Sequence, residues 1–258
     1  MRHKGKEGQA IYNPYPALTE LGAHIRRGQL SMVVGPPGGG KTAFITDWMI
    51  ALRNNPLGMD YHVLFFSLDS DRGTVGVRVA AGVTGWETSE VESYVQRLDP
   101  GVMKRIEEST AHIGYCFYSH PNKDDIDEQI TAFAYLYGKW PDVIIVDNLV
   151  DVESDAESFQ GYYEISEWLK VVASQTGAAV VLLHHARGQF NNGNMPLPLD
   201  AVLGQVSRPQ RLILTLHRPA PDLMGVSVVK NSNGPANADG TMFREIVMDL
   251  GRMFFSKT

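Results

Sequence analysis

The chain's 258 residues, 43% of them hydrophobic, are long for one domain and short for two, and suffice for a single large core. The lone Cys116 excludes an intrachain disulfide and fits a reducing cytoplasm, while the absence of any apolar run longer than a strand argues against secretion and membrane spanning. The net charge of −6 is uneven: Lys plus Arg against Asp plus Glu number 7 and 3 over residues 1–58, 8 and 21 over 59–175, and 8 and 5 over 176–258, with no dense basic run to mark a polymer partner.

Residues 1–16 mix charge, Gly and Pro and read as an N-terminal arm, and residues 17–258 read as one α/β domain. Ala17 to Arg27 is predicted to hold one short helix stopped by Gly28. The apolar run Leu30 to Val34 then leads into Gly35-Pro36-Pro37-Gly38-Gly39-Gly40-Lys41-Thr42 and a helix over Ala43 to Asn54. This is the P-loop pattern G-x-x-x-x-G-K-[ST] with a strand before it and a helix after it. Glycines without Cβ let successive backbone N–H groups turn inward on polyphosphate oxygens, and the helix N-terminus adds its positive dipole. Gly35 through Ala43 are the predicted nucleotide-binding stretch, with Lys41 as the point charge on the β- and γ-phosphates and Thr42 as a hydroxyl ligand of Mg²⁺.

Downstream, His62 to Leu68 is a near-continuous apolar run ending in Ser67-Leu68-Asp69-Ser70-Asp71, the pattern of a strand covered on both faces. Thr74 to Gly82 reads as helix, and Ser89 with Glu92 has capping-box spacing ahead of a segment closed by Pro100. His112 to Tyr118 is the next strand, and Asp124 and Asp125 open a helix striped by Ile126, Ile130, Phe133 and Tyr137. Val143 to Val146 is a buried strand tipped by Asp147. Ile165, Trp168, Leu169 and Val172 mark a helix stopped at Gly177, and Ala178 to Leu183 runs as a strand into His184-His185. An irregular, amide-rich stretch from Arg187 to Pro198 precedes a short helix over Leu199 to Val206. The runs Leu212 to Leu216, Val226 to Val229 and Phe243 to Met248 lack long crossovers, so the sheet is expected to end antiparallel. The expected fold is α/β, a mostly parallel central sheet flanked by helices.

Asp147 is placed to hold Mg²⁺ with Thr42; an Asp after an apolar run also starts turns, but its position about a hundred residues after a P-loop favours the metal role. Asp69, read as ending the strand next to the P-loop strand, is the candidate carboxylate that orients water towards the γ-phosphate, with Asp71 as its competitor. His184-His185 ends a further strand, where a side chain can sense the γ-phosphate or serve as a buried structural histidine. Neither has zinc-ligand spacing.

These landmarks, in this order, resemble the RecA-like ATPase core of the DnaB-type replicative helicases and their phage and plasmid relatives, from about Ala17 to Phe255. Gly35 to Thr42 corresponds to Walker A, Phe65-Phe66-Ser67-Leu68-Asp69 to a strand whose final carboxylate is the water-orienting base, and Val143 to Asn148 to Walker B. His185 falls at the γ-phosphate sensor. Lys230-Asn231-Ser232-Asn233-Gly234-Pro235 resembles the segment that reaches across a subunit boundary into the neighbour's ATP. The chain departs from the pattern at Asp69, one methylene shorter than glutamate, and at Ser232, where the family has an arginine finger; Lys230 would supply part of that charge, with Arg211 or Arg218 as substitutes. The family's N-terminal, primase-contacting domain is expected to be missing.

The resemblance implies an Mg²⁺-dependent ATPase with slow basal hydrolysis, catalytic residues Lys41, Asp69, Asp147, His185 and Lys230, and ATP and Mg²⁺ as cofactors. It further implies a homo-oligomer, a ring of six or a filament, acting on single-stranded DNA in replication or recombination in the cytoplasm of a bacterial or phage-infected cell. The loop Arg187 to Pro198 is the better DNA-contacting candidate, because Leu149 to Gly161 carries Asp151, Glu153, Asp155 and Glu157, which repel phosphate. The alternatives are a recombination or strand-annealing protein that uses ATP as a conformational switch, and a small-molecule P-loop kinase, for which the scattered arginines provide no lid.

Overall fold

The computed structural model describes residues 8–154, 156 and 158–258. The elements follow as α1 (Pro16–Glu20), β1 (Leu30–Gly35), α2 (Lys41–Ala51), β2 (Val63–Ser67), α3 (Arg72–Thr84), α4 (Thr88–Gln96), α5 (Pro100–Thr110), β3 (Ile113–Phe117), α6 (Lys123–Tyr137), β4 (Val143–Asp147), α7 (Ser158–Thr176), β5 (Ala179–His185), β6 (Leu212–Ala220), β7 (Leu223–Asn231), β8 (Phe243–Asp249) and β9 (Phe254–Phe255). They build one nine-stranded sheet in the order β3-β2-β4-β5-β1-β6-β7-β8-β9. The pairs from β3 to β6 are parallel and those from β6 to β9 antiparallel.

The parallel strands read as unbroken apolar runs because helices cover both faces. Alternation along β1 divides the core: Val33 packs with Phe44, Ile45, Trp48 and Met49 of α2, whereas Met32 and Val34 face the side of Ile130 from α6 and Ile165 and Leu169 from α7. Helices α3, α4 and α5 gather around a smaller cluster of their own, centred on Ala80, Ala81, Val91 and Val102.

Several local expectations give way to tertiary context. The described part of the expected arm is packed: Ile11 and Tyr15 are core residues, and Tyr12 accepts the Trp48 indole N–H at 2.8 Å through its carbonyl. The helix expected over Ala17 to Arg27 is confined to α1. Gly22, at φ +68°, reverses the chain, which then returns extended with Ala23 and Ile25 inward and Ala10 bridged to Arg26. Ser89 and Glu92 form no capping box; Glu87 is the N-cap of α4, and its start is held by Thr88 N–H donating to the Gly251 carbonyl. Pro100 opens α5 rather than closing a segment, with the Asp99 carboxylate accepting from Gly101 and Val102 N–H. The helix expected over Leu199 to Val206 is two 3₁₀ turns, because Val202 is extended and Gly204 left-handed.

Strand order corrects one further expectation. β2 is not beside the P-loop strand; β4 and β5 lie between it and β1. Asp69 nonetheless reaches the site, because parallel strands all present their C-terminal ends to the same edge of the sheet.

Candidate nucleotide site

At that edge β1 ends at Gly35, and the chain turns through Gly38 at φ +68° and Gly40 at φ +89° into α2. The left-handed conformation of Gly40 at this entry to the helix favours glycine, and a Cβ there would also press on the Met224 methyl at 3.0 Å. Pro37 to Ala43 line a cavity of about 230 Å³ together with Asp69, Arg78, Asp147, Asn148, His185, Leu250 and Met253. Gly35 and Pro36 lie beneath it and offer their carbonyls to the Lys41 ammonium at 3.1 and 2.9 Å.

Thr42 Oγ1 donates to Asp147 Oδ2 at 2.7 Å, joining the start of α2 to the end of β4 across 105 residues of sequence. His185 Nδ1 stands 3.4 Å from Lys41 Nζ. His184, the other histidine, points away; it is fully buried with Nε2 against the Leu203 carbonyl at 3.0 Å, which is the structural role weighed for the pair. Of the two acids after β2, Asp71 caps α3 by accepting from Gly73 N–H, Thr74 N–H and the Thr74 hydroxyl, and Asp69 is the one in the cavity.

Burial sets the electrostatics. The Lys41 ammonium is pushed down to about 8, mainly by loss of solvent and against the pull of Asp147 and Asp69. The Asp147 carboxyl is pushed up to about 6 by burial, an effect that Asp69 reinforces and that Thr42, Lys41 and Arg78 oppose. Burial, then the nearby ammonium, lowers His185. A buried carboxylate beside a hydroxyl, both oxygen donors, is a donor set suited to Mg²⁺, which takes one or two protein ligands beside nucleotide oxygens. Among the described residues no group of three or more His, Cys, Asp or Glu gathers as a metal cage.

Lys230 does not join this cavity. It donates to the Ser207 and Arg208 carbonyls at 2.6 and 3.1 Å and lines a second cavity, about 520 Å³, with Lys170, Arg208, Arg211 and Ser232. Arg211 shares that cavity; Arg218, whose guanidinium bonds the Pro221 carbonyl, does not. Arg187, the one cation of the loop after β5, is paired with Asp200, leaving Gln189, Asn191, Asn192 and Asn194 exposed. Asp155 and Glu157 of the acidic loop lie outside the described residues.

Sequence reasoning missed Arg78, Asn148, Leu250 and Met253 as lining residues. Arg78 bonds the Ser70 hydroxyl at 3.1 Å from two turns into α3, and Leu250 and Met253 arrive from the turn after β8; no local pattern marks either.

A glycine cradle, a buried lysine and strand-tip acids on one edge of this sheet define a P-loop ATPase domain of RecA-like fold. The chain belongs to the AAA domain family, whose profile matches residues 13–189. It is 33% identical over 253 residues to the Gene 65 protein of Mycobacterium phage L5, covering 94% of this chain and 91% of the phage protein. To the Gene 65 protein of Mycobacterium phage D29 it is 31% identical over 223 residues, 81% of this chain and 90% of that one.

Among solved structures, a DnaB-like replicative helicase studied for its interactions with primase superposes with TM-score 0.77 at 15% identity, over 95% of this chain and 62% of its own length. The ATPase domain of the protein named G40P gives 0.76 at 16% identity, over 98% and 93%. A KaiC-like protein from the archaeon Pyrococcus horikoshii OT3 gives 0.62 at 14% identity, over 96% and 98%. The shared fold is that of the RecA-like core of DnaB-type helicases. Among the described residues no helix is long and apolar enough to cross a membrane.

Proposed function

We propose that this protein is an Mg²⁺-dependent ATP hydrolase that assembles into a homo-oligomeric ring or filament and acts on single-stranded DNA in replication or recombination. The observation that carries the reading is the 2.7 Å contact of Thr42 with Asp147 in a cavity that also holds Lys41, Asp69 and His185.

In this reading the P-loop amides bind the polyphosphate, and Lys41 leaves the Gly35 and Pro36 carbonyls to meet the β- and γ-oxygens. Thr42 and Asp147 would hold Mg²⁺, which neutralises charge developing on those oxygens. Asp69 orients the attacking water and accepts its proton, and His185, beside the ammonium, registers whether a γ-phosphate is present. Lys230, which lies outside the P-loop cavity, acts on the nucleotide of a second copy. The exposed amides of residues 187–198 are the surface offered to DNA, bonding bases and phosphates without charge.

Turnover of ATP with and without Mg²⁺ and single-stranded DNA tests this. Lys41→Ala should lower kcat/KM by at least about 10²-fold, the scale of removing one preorganised charge from a phosphoryl-transfer site. Undiminished turnover in that variant sinks the mechanism. Ser232, in place of an arginine, favours a second reading, in which ATP binding switches a recombination or strand-annealing protein and hydrolysis is incidental. DNA-length-independent strand pairing without unwinding would select it.

A further inference from the structure

The loop after β5 is exposed at Asn191, Asn192, Asn194 and Met195, yet Gly193 in its middle is buried. It is buried against the P-loop. A Cβ on Gly193 would lie 2.4 Å from Pro36 Cγ, 3.3 Å from its Cβ and 3.4 Å from its Cδ, so the Pro36 ring occupies the space a side chain would need. The same ring bars a Cβ at Gly39, which would come within 2.9 Å of Pro36 Cγ. The ring therefore lies against two glycines, one inside the P-loop and one outside it.

Both partners are anchored. The Gly193 carbonyl accepts from Arg218 N–H at 2.6 Å, and Leu197, further along the loop, accepts from the Thr215 hydroxyl at 2.8 Å, so the loop is tied at two points to β6. The Pro36 carbonyl accepts from Gly39 N–H at 3.1 Å and from Lys41 Nζ at 2.9 Å. A shift of the Pro36 ring is passed to the carbonyl that holds the phosphate-binding lysine, because the ring carries the Cα to which that carbonyl is attached and, with φ locked, leaves only ψ to absorb the movement.

We infer that Gly193 is a positioning residue of the nucleotide site: the loop over residues 187–198 is latched to the P-loop through the Pro36–Gly193 contact, so that occupancy of the P-loop and the placement of this loop are coupled. The inference rests on the reading of the P-loop cavity as a nucleotide site. When Lys41 turns to a bound phosphate, the Pro36 carbonyl loses its ammonium partner and the ring shifts against Gly193. The exposed amides on either side of Gly193 shift with it.

The test is a double-mutant cycle on the affinity for a fluorescent ATP analogue, using the wild type, Gly193→Ala, Pro36→Ala and the double variant. Gly193→Ala should weaken binding about tenfold through overpacking against the ring. The double variant should return to the affinity of Pro36→Ala alone, because the clashing Cγ and Cδ are gone. Alanine at positive φ is equally strained in both backgrounds, so the recovery reports the contact itself. A second arm follows chymotryptic cleavage after Phe190 by mass spectrometry. The analogue should change the cleavage rate in the wild type and leave it unchanged in Pro36→Ala, a readout that stands even if Gly193→Ala fails to fold. Wild-type affinity in Gly193→Ala, a double variant weaker than Pro36→Ala by the full factor that Gly193→Ala costs the wild type, or nucleotide-dependent cleavage persisting in Pro36→Ala would each overturn the latch. Undiminished binding by Lys41→Ala would instead overturn the nucleotide site, which keeps the two failures distinct.

Discussion

Lys41 and Asp147 are charged groups held where charge is costly, and pH separates the consequences. A raised carboxyl binds more protons folded than unfolded, so the stability Asp147 contributes when protonated is lost as pH rises from its ordinary range through about 6. A lowered ammonium does the reverse: the stability contributed by Lys41 is present at high pH and lost as pH falls through about 8. Between about 6 and 8 both are ionised, the window in which a magnesium nucleotide finds its charges in place and the empty site is least stable. Asp147→Asn should therefore raise the melting temperature of the free protein at pH 7.5 by about 2–4 °C, some 1 kcal/mol after the loss of the Lys41 counter-charge is allowed for. On the proposed function, Mg²⁺ with ATP should stabilise the wild type further, and the same variant should lose that gain. A lower melting temperature in scanning calorimetry contradicts the assignment of Asp147 as a group kept for binding.

At the scale of elements, the central strands were legible because burial on both faces leaves an unbroken apolar run. Elements whose limits depend on contacts far along the chain were not. The start of α4 is held by the Gly251 carbonyl, and the end of α1 by a returning segment that buries Ile25 and bridges to Ala10. The β6–β7 hairpin shows how strict such contacts become: the buried His217 ring lies so close over Gly225 that a Cβ there would be 2.0 Å from Cε1. Gly225→Ala should cost about 3 kcal/mol in urea denaturation, the upper range for overpacking. Adding His217→Ala should return most of that loss, despite the cavity it leaves.

For the molecule as a whole, the separation of Lys230 from the P-loop cavity sets up a complementation experiment. Lys41→Ala and Lys230→Ala should each be poorly active alone, and mixing them should restore turnover, since an interface then forms between an intact P-loop and an intact Lys230. No recovery on mixing, with both variants forming wild-type oligomers by light scattering, argues against action between copies.

By itself the sequence determined the α/β class, the P-loop with its lysine and threonine, and the acids and histidine at strand tips, because each is carried by contiguous residues whose spacing is covalent and whose burial leaves a periodic trace. Only the tertiary structure decided that β4 and β5 separate Asp69's strand from the P-loop strand, that Asp69 faces the cavity, that Arg78 and Met253 line it, and that Gly193 seats on Pro36. Those choices are made by the order in which strands pair and by the shape of surfaces brought together across a hundred or more residues, and local patterning carries no record of either.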